Sequence, residues 1–267
     1  MRGLIIRILF CLMTVGTIGF SGCSSFNAFQ RVERPFTGQA LAPVQVQRGQ
    51  PRPLIDAAGR IFSLPNRIAL GDPLVDNHRV SQQTEFEITN YLEQNGLNSV
   101  LVRSNQYAPR DEYWRMVNNP NIRPIWKATF GNYNLLKYTL LPGRITGGDW
   151  YNPYTNSLHV YSDTPIVAIS RAAYAQDLNS RVNPGAYAAM KDIPLVGLGH
   201  ETTATKLTLQ HYQGKSPAEY AAAREILYPS LGASWGGQLA SFVPYGQVVG
   251  KLVGGGLGRL TNHLQTR

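Results

Sequence analysis

Five histidines, two cysteines and one G-x-S-x-G pentapeptide are the first places to look for chemistry in this 267-residue chain. Gly232-Ala233-Ser234-Trp235-Gly236 has the letters of a nucleophile elbow. That elbow needs a strand before the serine and, later in the chain, an acid followed by a histidine. No Asp or Glu follows Glu225, and His263 lies in the tail, so the order fails and the match is coincidence. His200, Glu201 and His211 are metal-ligand types. His200 and His211 are eleven residues apart, which on one helix leaves them about 16 Å apart along the axis. His200 and Glu201 are adjacent and diverge by about 100°. These three do not converge on one ion; His78 and His159 lie elsewhere in the chain and stay open as partners.

The elements that would position a site are clearest over residues 147–178, GGDWYNPYTNSLHVYSDTPIVAISRAAYAQDL. Gly147-Gly148-Asp149 and Asn152-Pro153-Tyr154-Thr155-Asn156 carry turn chemistry. Leu158 to Tyr161 alternates as a short strand. Asp163 or Thr164 can cap a helix, and Pro165 suits its first turn, where a missing N–H costs nothing. From there Ile166, Ile169, Ala173 and Gln176 recur at helical spacing, with Val167 and Tyr174 beside them.

This wording resembles bacterial zincin-like metallopeptidases in which NPYTN, a short strand and YSD lead into a helix reading roughly ALHEAAHAKD. Here the helix reads AISRAAYAQD. The zincin motif H-E-x-x-H places two imidazoles on one metal and a glutamate beside the first as general base. Ser170 stands for the first histidine, Arg171 for the glutamate and Tyr174 for the second histidine. A serine hydroxyl is a poor zinc ligand, and Arg171 cannot give up its proton near neutral pH and would repel a dication. In the gluzincin type the third ligand is a glutamate on the following helix, and Glu201 holds the matching place. The resemblance therefore implies a zincin-like frame with degenerate metal-site positions Ser170, Arg171, Tyr174 and Glu201, no metal, no cofactor and no catalytic residue. It runs over about half the chain, from about Asn98 to about Tyr212. The expected donor to Glu201 is Tyr174 or Ser170, ahead of Arg171, although an Arg171–Glu201 ion pair is a further way to tie the two helices. The plainer alternative is an ordinary buried amphipathic helix, with Glu201 favoured in a first turn by the helix dipole.

The N-terminus has a basic start, Arg2 and Arg7, an apolar run, and then Phe20-Ser21-Gly22-Cys23. Small residues just before a cysteine resemble the lipobox of bacterial lipoproteins, with Cys23 the lipidated first residue; a plain signal peptide or anchor helix is the alternative. Cys11 lies inside the leader, so the mature chain would hold no free thiol and no disulfide. The formal charge of +9 becomes +7 without Arg2 and Arg7, which favours anionic headgroups or an anionic envelope polymer; a protein ligand is the other expected partner. No nucleic-acid recognition motif is present.

The expected organisation is a leader over 1–22, a lipidated tether over 23–60, a zincin-like α+β domain over 61–225 and a Gly-rich C-terminal extension over 226–267. Pro35, Pro43, Pro51 and Pro53 punctuate the tether, although Val44, Val46 and Ile55 could pair as an edge strand. Residues 84–94 read as a helix stopped by Gly96, 97–103 as a strand and 110–118 as a short helix. Residues 129–141, rich in Phe, Tyr and Leu, read as one long strand or two paired ones. The segment at Asn183-Pro184-Gly185 reads as a loop and 199–212 as a helix. The fold class is α+β: a small mixed sheet, an edge strand at Leu158 beside the degenerate active-site helix, and a helical C-terminal part. Gly246, Gly250, Gly254 and Gly258 recur every fourth residue, which on a helix makes a groove that another helix can enter. A hairpin closing on the domain, a self-association face, membrane contact and a flexible tail are its four readings.

The function that follows is a lipid-anchored envelope protein, facing periplasm or exterior, whose catalytically dead domain binds or scaffolds. An active hydrolase with another constellation, or a purely structural envelope lipoprotein, is the alternative. Cys23→Ala should abolish incorporation of labelled fatty acid and leave a soluble or unprocessed chain; a wild-type chain that takes up no label would refute the lipobox.

Overall fold

A computed structural model describes residues 28–31, 42–141, 143–146, 148–191, 193, 195–240 and 246–265. Cys23 and the leader lie outside these residues. The architecture is α+β, with a small four-stranded mixed sheet among many helices. In chain order the strands are β1 (Val46–Arg48), β2 (Leu101–Ser104), β3 (Trp150–Asn152) and β4 (Ser157–Val160). Their spatial order is β1-β2-β4-β3; β1, β2 and β4 are parallel and β3 runs antiparallel at one edge.

Register gives the sheet two chemically distinct faces. Val46, Val102, Leu158 and Tyr151 form one cross-strand row, and Gln47, Arg103, His159 and Trp150 the next. The first row meets α3 (Gln82–Gln94) and α8 (Pro165–Asn179) in the main core, with Ile88, Leu92, Ile169 and Ala173. The second row is covered by α4 (Pro109–Asn118) and α6 (Asn132–Leu140). There Arg103, fully buried, donates to Glu112 at 2.6 Å and also bonds Asp111, Gln47 and Gln106. His159 lies 3.5 Å from the same Glu112 carboxylate and stacks on Trp150 at 4.7 Å. Burial alone would raise the Glu112 carboxyl; His159 and Arg103 outweigh it and hold it at about 2.

Four expectations are corrected. The strand at Leu158 is interior, lying between β2 and β3; the edge is β3, which reads as turn chemistry by letters. The hairpin between them closes on Asn152, which accepts from the Tyr154 N–H, and on Asn156, held left-handed at φ 54°. Residues 129–141 are helical, in a π-turn (Lys127–Gly131) and α6, preceded by α5 (Pro124–Trp126). Gly131, Asn134 and Tyr138 are its buried side, a helical period masked in sequence by the exposed Tyr133, Leu136 and Leu140. The tether does not reach residue 60, because β1 and the helices α1 (Pro53–Phe62) and α2 (Leu64–Leu70) are ordered elements. Pro53 opens α1 instead of breaking it, as a first-turn proline can. Of the strand alternative, Val46 opens β1, Val44 lies just before it, and Ile55 belongs to α1. Asn183-Pro184-Gly185 starts α9 (Pro184–Met190), with Asn183 accepting from the Ala186 N–H.

The remaining helices are α7 (Gly143–Thr146), α10 (Val196–Gln213), α11 (Pro217–Leu239) and α12 (Gly246–Gln265). Ser234 sits inside α11, with no strand before it. The glycine series does form a hairpin interface. A Cβ on Gly236 would lie 1.9 Å from the Gly250 carbonyl oxygen, and one on Gly254 would lie 2.0 Å from that of Gly232.

Removing one partner from a buried charge pair leaves an unpaired ion in low dielectric and costs about 3–5 kcal/mol. Glu112→Ala leaves Arg103 only the half-exposed Asp111 as a carboxylate partner, and should destabilise by up to about that much in urea unfolding. Because the folded carboxyl is depressed, wild type should lose this contribution as pH falls below the ordinary range toward about 2. A Glu112→Ala chain with unchanged stability would refute the account of this face.

Candidate functional site

Helix α8 crosses the apolar sheet face, and Ala168, Ala172, Ala173 and Ala175 let it settle close, all fully buried. Ser170 and Tyr174 are buried on it. Arg171 reaches across to α10, where its Nη1 donates to Glu201 Oε2 at 2.6 Å. Lys191, just after α9, places its ammonium 3.4 Å from the other Glu201 oxygen and 3.9 Å from the centre of the Tyr174 ring. Burial would raise the Glu201 carboxyl; Arg171 and Lys191 overcome that and hold it at about 2. Glu201 is thus a carboxylate shared by two cations, tying α8, the end of α9 and α10 together.

All four positions taken from the resemblance lie on the two helices expected. The order of partners differs from the expectation: Arg171, placed behind Tyr174 and Ser170, donates to Glu201. Tyr174 instead carries Lys191 on its face. A guanidinium and an ammonium stand around the Glu201 carboxylate. That donor set does not fit zinc, since two fixed cations would repel it.

The histidines occupy separate aromatic settings. His200 is buried and stacked on Tyr187 at 4.0 Å, with Tyr174 at 5.7 Å. Burial, with Lys191 nearby, lowers its imidazole to about 4, so it is neutral at physiological pH. His211 meets Tyr91 edge-on, His78 packs on Tyr161, and His159 lies on the other sheet face. Among the described residues no three His, Cys, Asp or Glu side chains converge into a metal-binding group.

A cleft of about 310 Å³ opens between β3, α6 and α8. Tyr138, Trp150, Tyr154 and Tyr174 form aromatic walls, and Lys137, Lys191 and Asp149 bring charge. Asp149 is buried; its Oδ1 accepts from the backbone N–H groups of Tyr161 at 2.6 Å and Ser162 at 3.0 Å, while its Oδ2 has no partner. Burial, reinforced by Asp76, pushes its carboxyl up to about 7. A carboxyl raised in this way favours the folded state while protonated, and that contribution is lost as pH rises through about 7. Sequence reading passed over Asp149 as a turn residue and gave no sign of Lys137 or Lys191. Asp149's position between Gly148 and an edge strand was the only signal present.

No protein-family model, curated protein or solved structure matches the chain.

A charge-assisted hydrogen bond contributes about 1.5–3 kcal/mol. Glu201→Ala and Arg171→Ala should each lower stability by about that amount, and the double variant should cost clearly less than the sum. Full additivity in the cycle would mean the two side chains do not support each other.

Proposed function

We propose that the chain is a lipid-anchored protein of the cell envelope whose zincin-like domain binds a partner or scaffolds and does not cleave. The single observation that carries this is the Arg171–Glu201 ion pair, joined by Lys191. Where a zinc peptidase would gather ligands, this chain spends the surviving carboxylate on fixing two helices. Two further features support the zincin-like frame: three parallel strands with an antiparallel edge strand, and a helix after the last strand crossing the sheet. A cleft lies beside β3, and its aromatic walls with Lys137 and Lys191 suit a ligand bearing anionic groups, such as an envelope polymer or an acidic segment of a protein. Lipid on Cys23 would hold this cleft at a membrane.

One observation favours a hydrolase with an unrecognised site. Asp149 combines burial, a free carboxylate oxygen and a proton affinity near 7, the profile of a general acid or base. The two readings part in one experiment on purified protein. Elemental analysis should find no stoichiometric zinc, and peptide and polysaccharide cleavage should be absent from wild type and Asp149→Asn alike. One zinc per chain would overturn the dead-zincin reading; turnover that vanishes in Asp149→Asn would install the hydrolase in its place.

A further inference from the structure

Helix α12 packs on α11 through glycine, and this fixes what its other side must do. Gly250, Gly254 and Gly258 meet backbone of α11 at distances where a Cβ would collide, at 2.0–2.2 Å. Along that line of closest contact α12 therefore presents no side chains. The large apolar residues of α12 are left outward: Val249, Val253, Leu257, Leu260 and Leu264, at i, i+4 and i+3 steps along one stripe. These are 54–64 % exposed. The same surface continues onto α11 at Trp235 and Leu239, both well exposed, which line one groove with Val253 and Leu257. Arg259 fastens α2 to another side of α12 by donating to the Ile68 and Ala69 carbonyls at 2.6 and 3.0 Å. An apolar surface continuous over two helices marks an interaction site, not ordinary exposure.

We propose that this face docks on an anionic lipid bilayer, lying in the headgroup–acyl boundary as a second, protein-borne membrane contact. Its breadth is one reason: a partner helix would fill the glycine-floored groove between α11 and α12 but leave the outer stripe of α12 bare. Its charge is the other. From residue 226 to the C-terminus the sequence contains no Asp or Glu, while Lys251, Arg259 and Arg267 are present. A broad apolar face whose helix carries only cations is complementary to acyl chains below and anionic headgroups around it. No described helix is long and apolar enough to cross a membrane, so the hairpin lies on the surface. This inference does not depend on the cleft or on acylation of Cys23.

Trp235 supplies an internal reporter. The full chain is placed with vesicles of phosphatidylglycerol and phosphatidylcholine whose acyl chains are brominated, and tryptophan emission is read. Wild type should be quenched strongly with phosphatidylglycerol present and weakly in phosphatidylcholine alone. Trp235→Phe should lose most of the quenchable component, since Trp114, Trp126 and Trp150 lie away from this face. Leu257→Glu with Leu264→Glu alters two exposed side chains, so the melting curve should hold while most of the Trp235 quenching is lost. Equal quenching in wild type and Trp235→Phe would overturn the proposal. So would a vesicle-free dimer in sedimentation that Leu257→Glu dissociates, because a second copy would then cover the face.

Discussion

The contact on which the arrangement around α8 depends is the salt bridge from Arg171 to Glu201. Its partners lie on α8 and α10, and Lys191 adds a third element to the same carboxylate. A carboxylate this enclosed is tolerable only because cations accompany it, and the depression of its pKa to about 2 is the measure of that dependence. The arrangement also sets the chemistry. A metal site needs negative or neutral donors converging on an empty centre; here the centre is filled by fixed positive charge belonging to the protein.

The sheet beneath this contact does two jobs with one register. Its apolar row seats α8, so the depth at which Arg171 is presented follows from the small side chains Ala168, Ala172 and Ala173. Its polar row is a buried ionic cluster centred on Arg103 and Glu112. Trp150 belongs to that polar row and also lines the cleft. The buried cluster and the cleft are therefore mechanically adjacent, and the rigidity of one positions a wall of the other.

How much of this was legible follows from where pattern and burial agree. Helix α8 was read from its first-turn proline and its spacing; the expected cap does not form, because Thr164 bonds Asp72 and Asp163 accepts from Ser81 and Thr84. Helix α10 and strand β2 were legible for similar reasons. The segment 129–141 was misread because its exposed side carries more large apolar residues than its buried side, which erases the helical period. Strand β3 is three residues long and sits between two turns, so turn letters swamp it. For the site, Ser170, Arg171, Tyr174 and Glu201 could be placed through the resemblance, but the choice of Arg171 as donor needed the geometry of two helices. Lys137, Lys191 and Asp149 come together only in space. The hairpin was legible in part: a four-residue glycine period announces a close helix contact, and says nothing of which helix answers it until Gly232 and Gly236 on α11 are seen opposite.

In the proposed zincin-like reading, protein cations occupy the place where a zincin would hold its metal. This reading is tested most directly by diffraction from crystals grown with excess zinc, measured on both sides of the zinc absorption edge. The account expects no anomalous peak between α8 and α10 and an Arg171–Glu201 contact at hydrogen-bond distance. A zinc peak ligated by Glu201, with Arg171 turned away, would contradict it.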